Sequence, residues 1–117
     1  MKLCRFGDRG HEMPGLIDPT GRLRDLSGIL QDLTPAELSP SRLADITSFD
    51  PAGLPEVTGR PRLGVPFAGT SKVICIGLNY ADHAAEAGLP VPSEPIIFLK
   101  PTTAICGPND NTIQPAG

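Results

Sequence analysis

His83 and Glu86 are the two residues of this chain whose types and spacing best suit catalysis. Three positions apart on a helix, they would share one face, so the carboxylate can bind one imidazole nitrogen and leave the other free. Such a carboxylate fixes the tautomer and stabilises the imidazolium that forms when the histidine takes a proton. The pair predicts a general base, although the same spacing is common on solvated helices.

Other chemistries fit this segment less well. One His and one carboxylate are too few ligands for zinc, and no second His or paired Cys lies nearby. Gly77 precedes a predicted helix but lacks the other glycines of a dinucleotide-binding fingerprint. Lys100 ends an apolar strand and is a candidate partner for a substrate carboxylate, while a surface lysine closing a strand is the commoner case.

The elements that must position His83 are a strand and a short helix. Residues 73–78 are continuously apolar and partly β-branched, which indicates a strand buried on both faces. Asn79 is then a candidate cap for a helix that runs through Glu86 and is stopped by Gly88.

Three shorter elements follow a proline-stiffened connection. Residues 96–100 predict a second apolar strand, residues 102–106 a short third strand, and residues 107–111 a turn.

The first half of the chain predicts a small β-meander. Strands are expected at residues 2–6, 14–17 and 22–26, with a turn at residues 18–21 in which Gly21 takes a left-handed conformation.

Short helices are expected between residues 27 and 49. Residues 34–37, Thr-Pro-Ala-Glu, have the pattern of a capping box with proline at the first helical position.

A stretch rich in proline and glycine, residues 51–69, suggests the domain boundary. The predicted organisation is a β-rich domain at residues 1–60, a linker at 61–70 and the start of a second domain at 71–117. The predicted fold class is mixed and mainly β.

Composition excludes several partners. A net charge of −3 with both signs mixed along 117 residues gives no footprint for nucleic acid or an anionic membrane surface. No apolar run is long enough to span a bilayer, so a cytoplasmic protein is expected. Cys4, Cys75 and Cys106 are widely spaced and odd in number, which favours buried, reduced thiols over disulfides.

Two joined motifs resemble the fumarylacetoacetate hydrolase family. They are Ile-Gly-Leu-Asn-Tyr-Ala-Asp-His at residues 76–83 with Glu86, and Glu-Pro-Ile-Ile-Phe-Leu-Lys-Pro-Thr-Thr-Ala at residues 94–104. The resemblance extends over residues 71–117, and the opening residues 1–27 are more weakly similar to the small N-terminal β-domain of bacterial members.

The resemblance implies a metal-dependent hydrolase that cleaves a carbon–carbon bond in acylpyruvates or related 2-oxo acids. It implies a rolled β-sandwich, usually in homodimers, with His83 as the base that activates water and Glu86 as its orienting partner. Magnesium or manganese would stabilise enolate charge as a Lewis acid.

The family's metal ligands, a Glu-x-Glu and a later Asp, are expected beyond Gly117, so no ligand is assigned within this chain. We therefore expect a fragment of a longer enzyme that is inactive by itself. A family decarboxylase, isomerase or ureidoglycolate lyase is a close alternative. A non-catalytic oligomerisation or binding module is the alternative from another class.

Overall fold

A computed structural model describes residues 2–116, and their contacts divide them into two compact units. The first unit comprises residues 2–69 and 105–116, and the second comprises residues 70–104. Both contain short β-strands with few short helices, which confirms the mixed, mainly β class. The domain boundaries drawn from the sequence stay a prediction.

The first unit is built on the predicted meander, with antiparallel strands in the order β1, β2, β3. These strands are β1 at Lys2–Phe6, β2 at Met13–Ile17 and β3 at Leu23–Asp25. The turn between β2 and β3 forms as expected, because Gly21 has a φ of 86° and the Asp18 carboxylate accepts a bond from the Thr20 amide. The sequence predicted this turn correctly because the contacts that hold it lie within a few consecutive residues.

Residues 55–64 cover both edges of this sheet. Along β3, the amide of Asp25 donates to the Pro55 carbonyl and that of Val57 donates to the Leu23 carbonyl. Along β1, the amide of Gly64 donates to the Arg5 carbonyl at 2.8 Å. Unpaired strand edges invite association with other chains, and this proline-rich segment protects them.

A small apolar core lies between the meander and helix α1, at Pro40–Ser48. It consists of five buried side chains: Leu16, Leu26, Leu30, Leu33 and Ile46. The capping box predicted at residues 34–37 is wrong, because these residues form a turn and the helix begins after Ser39. A helix that started at residue 34 would need an amide hydrogen from Pro40, which proline lacks.

Arg62 holds the segment after residue 105 against the rest of the first unit. Its guanidinium donates to both carboxylate oxygens of Asp110 at 2.7 Å, and to Glu12 Oε1 at 2.9 Å. Gly107 approaches so closely that a Cβ there would overlap the carbonyl oxygen of Leu63. The hydrogen bonds from Arg62 hold the pKa of Asp110 well below its usual range.

The second unit is an antiparallel ribbon with one helix. Strand β4 at Val73–Gly77 pairs with β5 at Ile96–Lys100, and α2 at Ala81–Glu86 lies between them in sequence. The strand predicted at residues 102–106 is wrong, because Thr102–Ala104 forms a 3₁₀ turn. Pro101 lacks the amide hydrogen that would continue the ladder.

One face of the ribbon is apolar and open. It carries Ile74 and Ile76 of β4 opposite Leu99 and Ile97 of β5, and these side chains are between 42% and 69% exposed. The prediction that β4 is buried on both faces is therefore wrong for the described residues, since β4 has one partner strand and no covering layer there. We call these four residues the apolar face.

The three thiols are free but differ in burial. Cys4 is buried, which raises its pKa, whereas Cys75 is half-buried and Cys106 is exposed. The expectation of buried thiols is confirmed for Cys4 and wrong for Cys106. Within residues 2–116, no helix has the length and apolar character needed to cross a membrane.

Replacing Asp110 with Asn should destabilise the chain at neutral pH and flatten its response to acid. A carboxylate whose folded pKa is depressed stabilises the fold above its unfolded pKa, and this stabilisation is lost as the pH falls below about 5. Denaturant unfolding between acid and neutral pH measures this effect. The exposed Asp8→Asn has the same charge change, and an equal loss in both variants would contradict the assignment.

The apolar face should drive self-association. We expect the double variant Ile97→Lys/Leu99→Lys to raise the concentration at which the chain associates by at least about tenfold, because it removes apolar area that association would bury. Sedimentation velocity over a concentration series measures the change. Val91→Lys, at a residue that is 66% exposed outside the ribbon, is the control and should have little effect.

Candidate active site

The turn between β4 and α2 sets where the predicted base lies. Leu78 has a φ of 48°, the one positive φ at a residue other than glycine among residues 2–116. A left-handed conformation costs a side-chain-bearing residue about 1–2 kcal/mol, and such strain concentrates at functional sites. Tyr80 is the N-cap, so the prediction of Asn79 as the cap is wrong by one residue.

The end of α2 is closed by a Schellman motif, which fixes Glu86 in the last turn. Gly88 has a φ of 66° and donates to the Ala85 carbonyl, while Leu89 donates to the Ala84 carbonyl at 2.9 Å. This confirms the prediction that Gly88 stops the helix. Only Ala84 of the helix is buried, so its other side chains face outward.

His83 and Glu86 lie on one face of α2, as their spacing predicts. The imidazole Nδ1 is 3.9 Å from Glu86 Oε2, and the two side chains are 61% and 80% exposed. This distance is longer than a hydrogen bond, but rotation of two exposed side chains can close it. The helix thus places the two side chains on one face, but they are not hydrogen-bonded to each other in this structure.

A cavity of about 220 Å³ lies beside the same turn. It is lined by residues 76–79 and 91–95, which include the polar side chains of Asn79, Ser93 and Glu94. Sequence reasoning did not assign these three residues to a site, and no spacing signal could have done so, because two separate segments form the cavity. His83 and Glu86 are not among its lining residues.

Lys100 lies at the other end of the ribbon. It pairs with Val73 at the start of β4, whereas the turn that leads into α2 follows Gly77, which pairs with Ile96. Its Nζ lies 6.0 Å from the ring centroid of Phe98, two residues earlier on the same strand. The register therefore does not bring Lys100 to the turn that carries His83.

The described residues do not fit a divalent metal ion. No group of three or more His, Cys, Asp or Glu side chains converges anywhere in residues 2–116. Magnesium and manganese need several oxygen ligands at one point. Asp82 and Glu94 are both exposed, and Asp82 accepts a bond from the His83 amide at 2.8 Å instead.

Comparison with known proteins connects these residues to one family. Residues 72–117 match the family model described as the C-terminal domain of fumarylacetoacetate hydrolase. Over 117 residues the chain is 54% identical to proteins of Burkholderia cenocepacia and Burkholderia multivorans, each named "Putative hydrolase". A protein of Burkholderia ambifaria with the same name is 53% identical.

The similarity covers all of this chain but less than half of each relative. It extends over 100% of the chain and 42% of the relatives' length. Both motifs and the first unit lie within the region aligned to these relatives, whereas the family model matches residues 72–117.

Titration of the chain with magnesium or manganese should reveal no tight site. Because hard divalent cations need several converging oxygen ligands, we expect dissociation constants well above the micromolar range. Isothermal titration calorimetry on the 117-residue chain measures this directly. Micromolar binding that Glu86→Gln or Glu94→Gln abolished would show that these carboxylates do assemble a site.

Proposed function

We propose a function on the premise that the chain belongs to the fumarylacetoacetate hydrolase family. The proposed activity is hydrolysis of a carbon–carbon bond in acylpyruvates or related 2-oxo acids. The observation that carries it is the pairing of His83 with Glu86 on one face of α2, with 3.9 Å between Nδ1 and Oε2. Similarity to proteins named as hydrolases supports the reaction type, and the family resemblance supports the substrate class.

In the proposed reaction, Glu86 holds the Nδ1 proton of His83 and directs Nε2 toward water. Nε2 takes a proton as the water oxygen bonds to the acyl carbonyl carbon of the substrate. The bond between this carbon and the methylene carbon then breaks, and its electrons pass to the methylene carbon as a pyruvate enolate. The imidazolium returns the proton to that carbon, so that water and an acylpyruvate give a carboxylic acid and pyruvate.

Magnesium or manganese enters the proposal only through the family resemblance. Such an ion would supply Lewis-acid stabilisation of the enolate. No group of three or more His, Cys, Asp or Glu side chains converges within residues 2–116, so the proposal leaves its ligands unassigned. The proposed roles of His83 and Glu86 do not depend on where those ligands lie.

Two further parts of the proposal concern a second copy of the chain and a residue that binds the substrate. A homodimer is supported by the exposed apolar face of the ribbon, which a second copy would cover. Lys100 remains the weaker candidate for binding a substrate carboxylate, because the register puts it at the far end of the ribbon from the β4–α2 turn.

Replacing His83 with Ala in the full-length protein should lower kcat for an acylpyruvate by at least about a hundredfold, which is the usual loss when a positioned base is removed. A steady-state assay that follows pyruvate release measures it. His11, the other histidine of the chain, lies in the first unit and provides the control. His11→Ala should retain activity, and parental turnover in His83→Ala would end the proposal.

Glu86→Gln tests the orienting role separately. The oxygen of a neutral amide can still accept a hydrogen bond from Nδ1–H but lacks the negative charge that stabilises the imidazolium, so kcat should fall while KM changes little. Circular dichroism should be unchanged, because the side chain is 80% exposed. If kcat matched that of the parent protein, Glu86 would be an ordinary solvated helix residue.

A further inference from the structure

The first unit contains a recess that the proposed reaction does not use. Its volume is about 560 Å³, within the range of small-molecule sites. Most of the residues that line it are apolar, and these residues belong to β2, to α1 and to the segments that follow these two elements. The apolar lining residues are Leu16, Ile17, Pro19, Ile46, Phe49 and Pro51.

The acidic residue in this wall is already satisfied. One carboxylate oxygen of Asp18 accepts bonds from the Thr20 hydroxyl at 2.6 Å and the Thr20 amide at 2.8 Å. The other accepts from Arg24 Nε at 2.8 Å, and the side chain is only 4% exposed. Asp18 therefore stabilises the turn and has little capacity left to bind a cationic ligand.

The remaining charged group is Lys2. It lines the recess, is exposed, and makes no ion pair or side-chain hydrogen bond with any residue of the described range 2–116. Its three ammonium hydrogens are available to an incoming acceptor. Thr47, another lining residue, already donates its hydroxyl hydrogen to the Ala44 carbonyl at 2.7 Å.

The size of the recess argues for a small molecule. Ten residues line it, whereas a stable protein interface uses about 20–30 on each side. Phe49 lines the recess and is 43% exposed, so its side chain is accessible to a flat or flexible apolar group.

We propose that this recess binds a small carboxylate with an aryl or alkyl tail, the tail against the apolar wall and the carboxylate at Lys2. The site lies in the unit that does not contain His83 and Glu86. The proposal does not rest on the proposed reaction, and binding can be measured without activity.

Sodium 4-phenylbutyrate and its neutral amide provide a matched pair of probes. We expect the acid to bind with a dissociation constant of about a millimolar, typical for a ligand of its size. The amide should bind about threefold more weakly, because an ion pair with an exposed lysine contributes little. Chemical shifts in two-dimensional NMR spectra of the chain give both constants and show which residues respond.

Three variants separate this site from non-specific binding. Lys2→Gln should make acid and amide equal, whereas the exposed Lys72→Gln, with the same charge change, should preserve the threefold difference. Thr47→Trp should fill the recess and abolish binding of both probes, with the fold checked by circular dichroism. The Lys2→Gln result stands even if Thr47→Trp fails to fold.

Two results would overturn the proposal. The first is equal binding of acid and amide by the parent chain. The second is a set of shifts confined to the apolar face of the ribbon and unaffected by Thr47→Trp, which would mean that the probe binds any open hydrocarbon surface.

Discussion

The guanidinium of Arg62 connects parts of the first unit that are distant in sequence. It binds both oxygens of Asp110, one oxygen of Glu12 and the carbonyl of Gly7, so the turn after β1 and the segment after residue 105 meet at one side chain. A planar fork can satisfy these acceptors together, whereas an ammonium group cannot bind a carboxylate in the same bidentate way. The depressed pKa of Asp110, caused first by Arg62, is the electrostatic result of this geometry.

The second unit has no comparable anchor and relies on local devices. A two-stranded ribbon and a six-residue helix are each marginal alone, and one side chain of that helix, Ala84, is buried. The Schellman motif at Gly88 and the left-handed Leu78 still restrict where the helix can begin and end. The bounds of the helix that carries His83 are therefore fixed, although the His83 side chain itself is exposed.

The elements predicted correctly are those that local chemistry determines. Strands β1 and β5 have the bounds predicted for them, residues 2–6 and 96–100, and Gly21 and Gly88 take the positive φ that their turns require. The start of α1 was missed because two competing proline signals, Pro35 and Pro40, lie five residues apart, and only the second leaves an unbroken hydrogen-bond ladder.

Features that depend on distant residues could not be predicted. The binding of Arg62 to Asp110 joins positions 48 residues apart, and the cavity beside the β4–α2 turn needs two separate segments. For the candidate site, the spacing in sequence predicted that His83 and Glu86 share a face of the helix. It could not predict their exposure or the 3.9 Å between Nδ1 and Oε2.

The exposure of His83 and Glu86 matters because two charges about 4 Å apart interact by only about 1 kcal/mol in water and by about 4 kcal/mol at an effective dielectric constant of 20. Glu86 can assist His83 strongly only when water is excluded from the face of α2 that carries both residues. The catalytic strength proposed for the pair would thus depend on what covers that face, whether substrate or further protein, more than on any change in the pair itself.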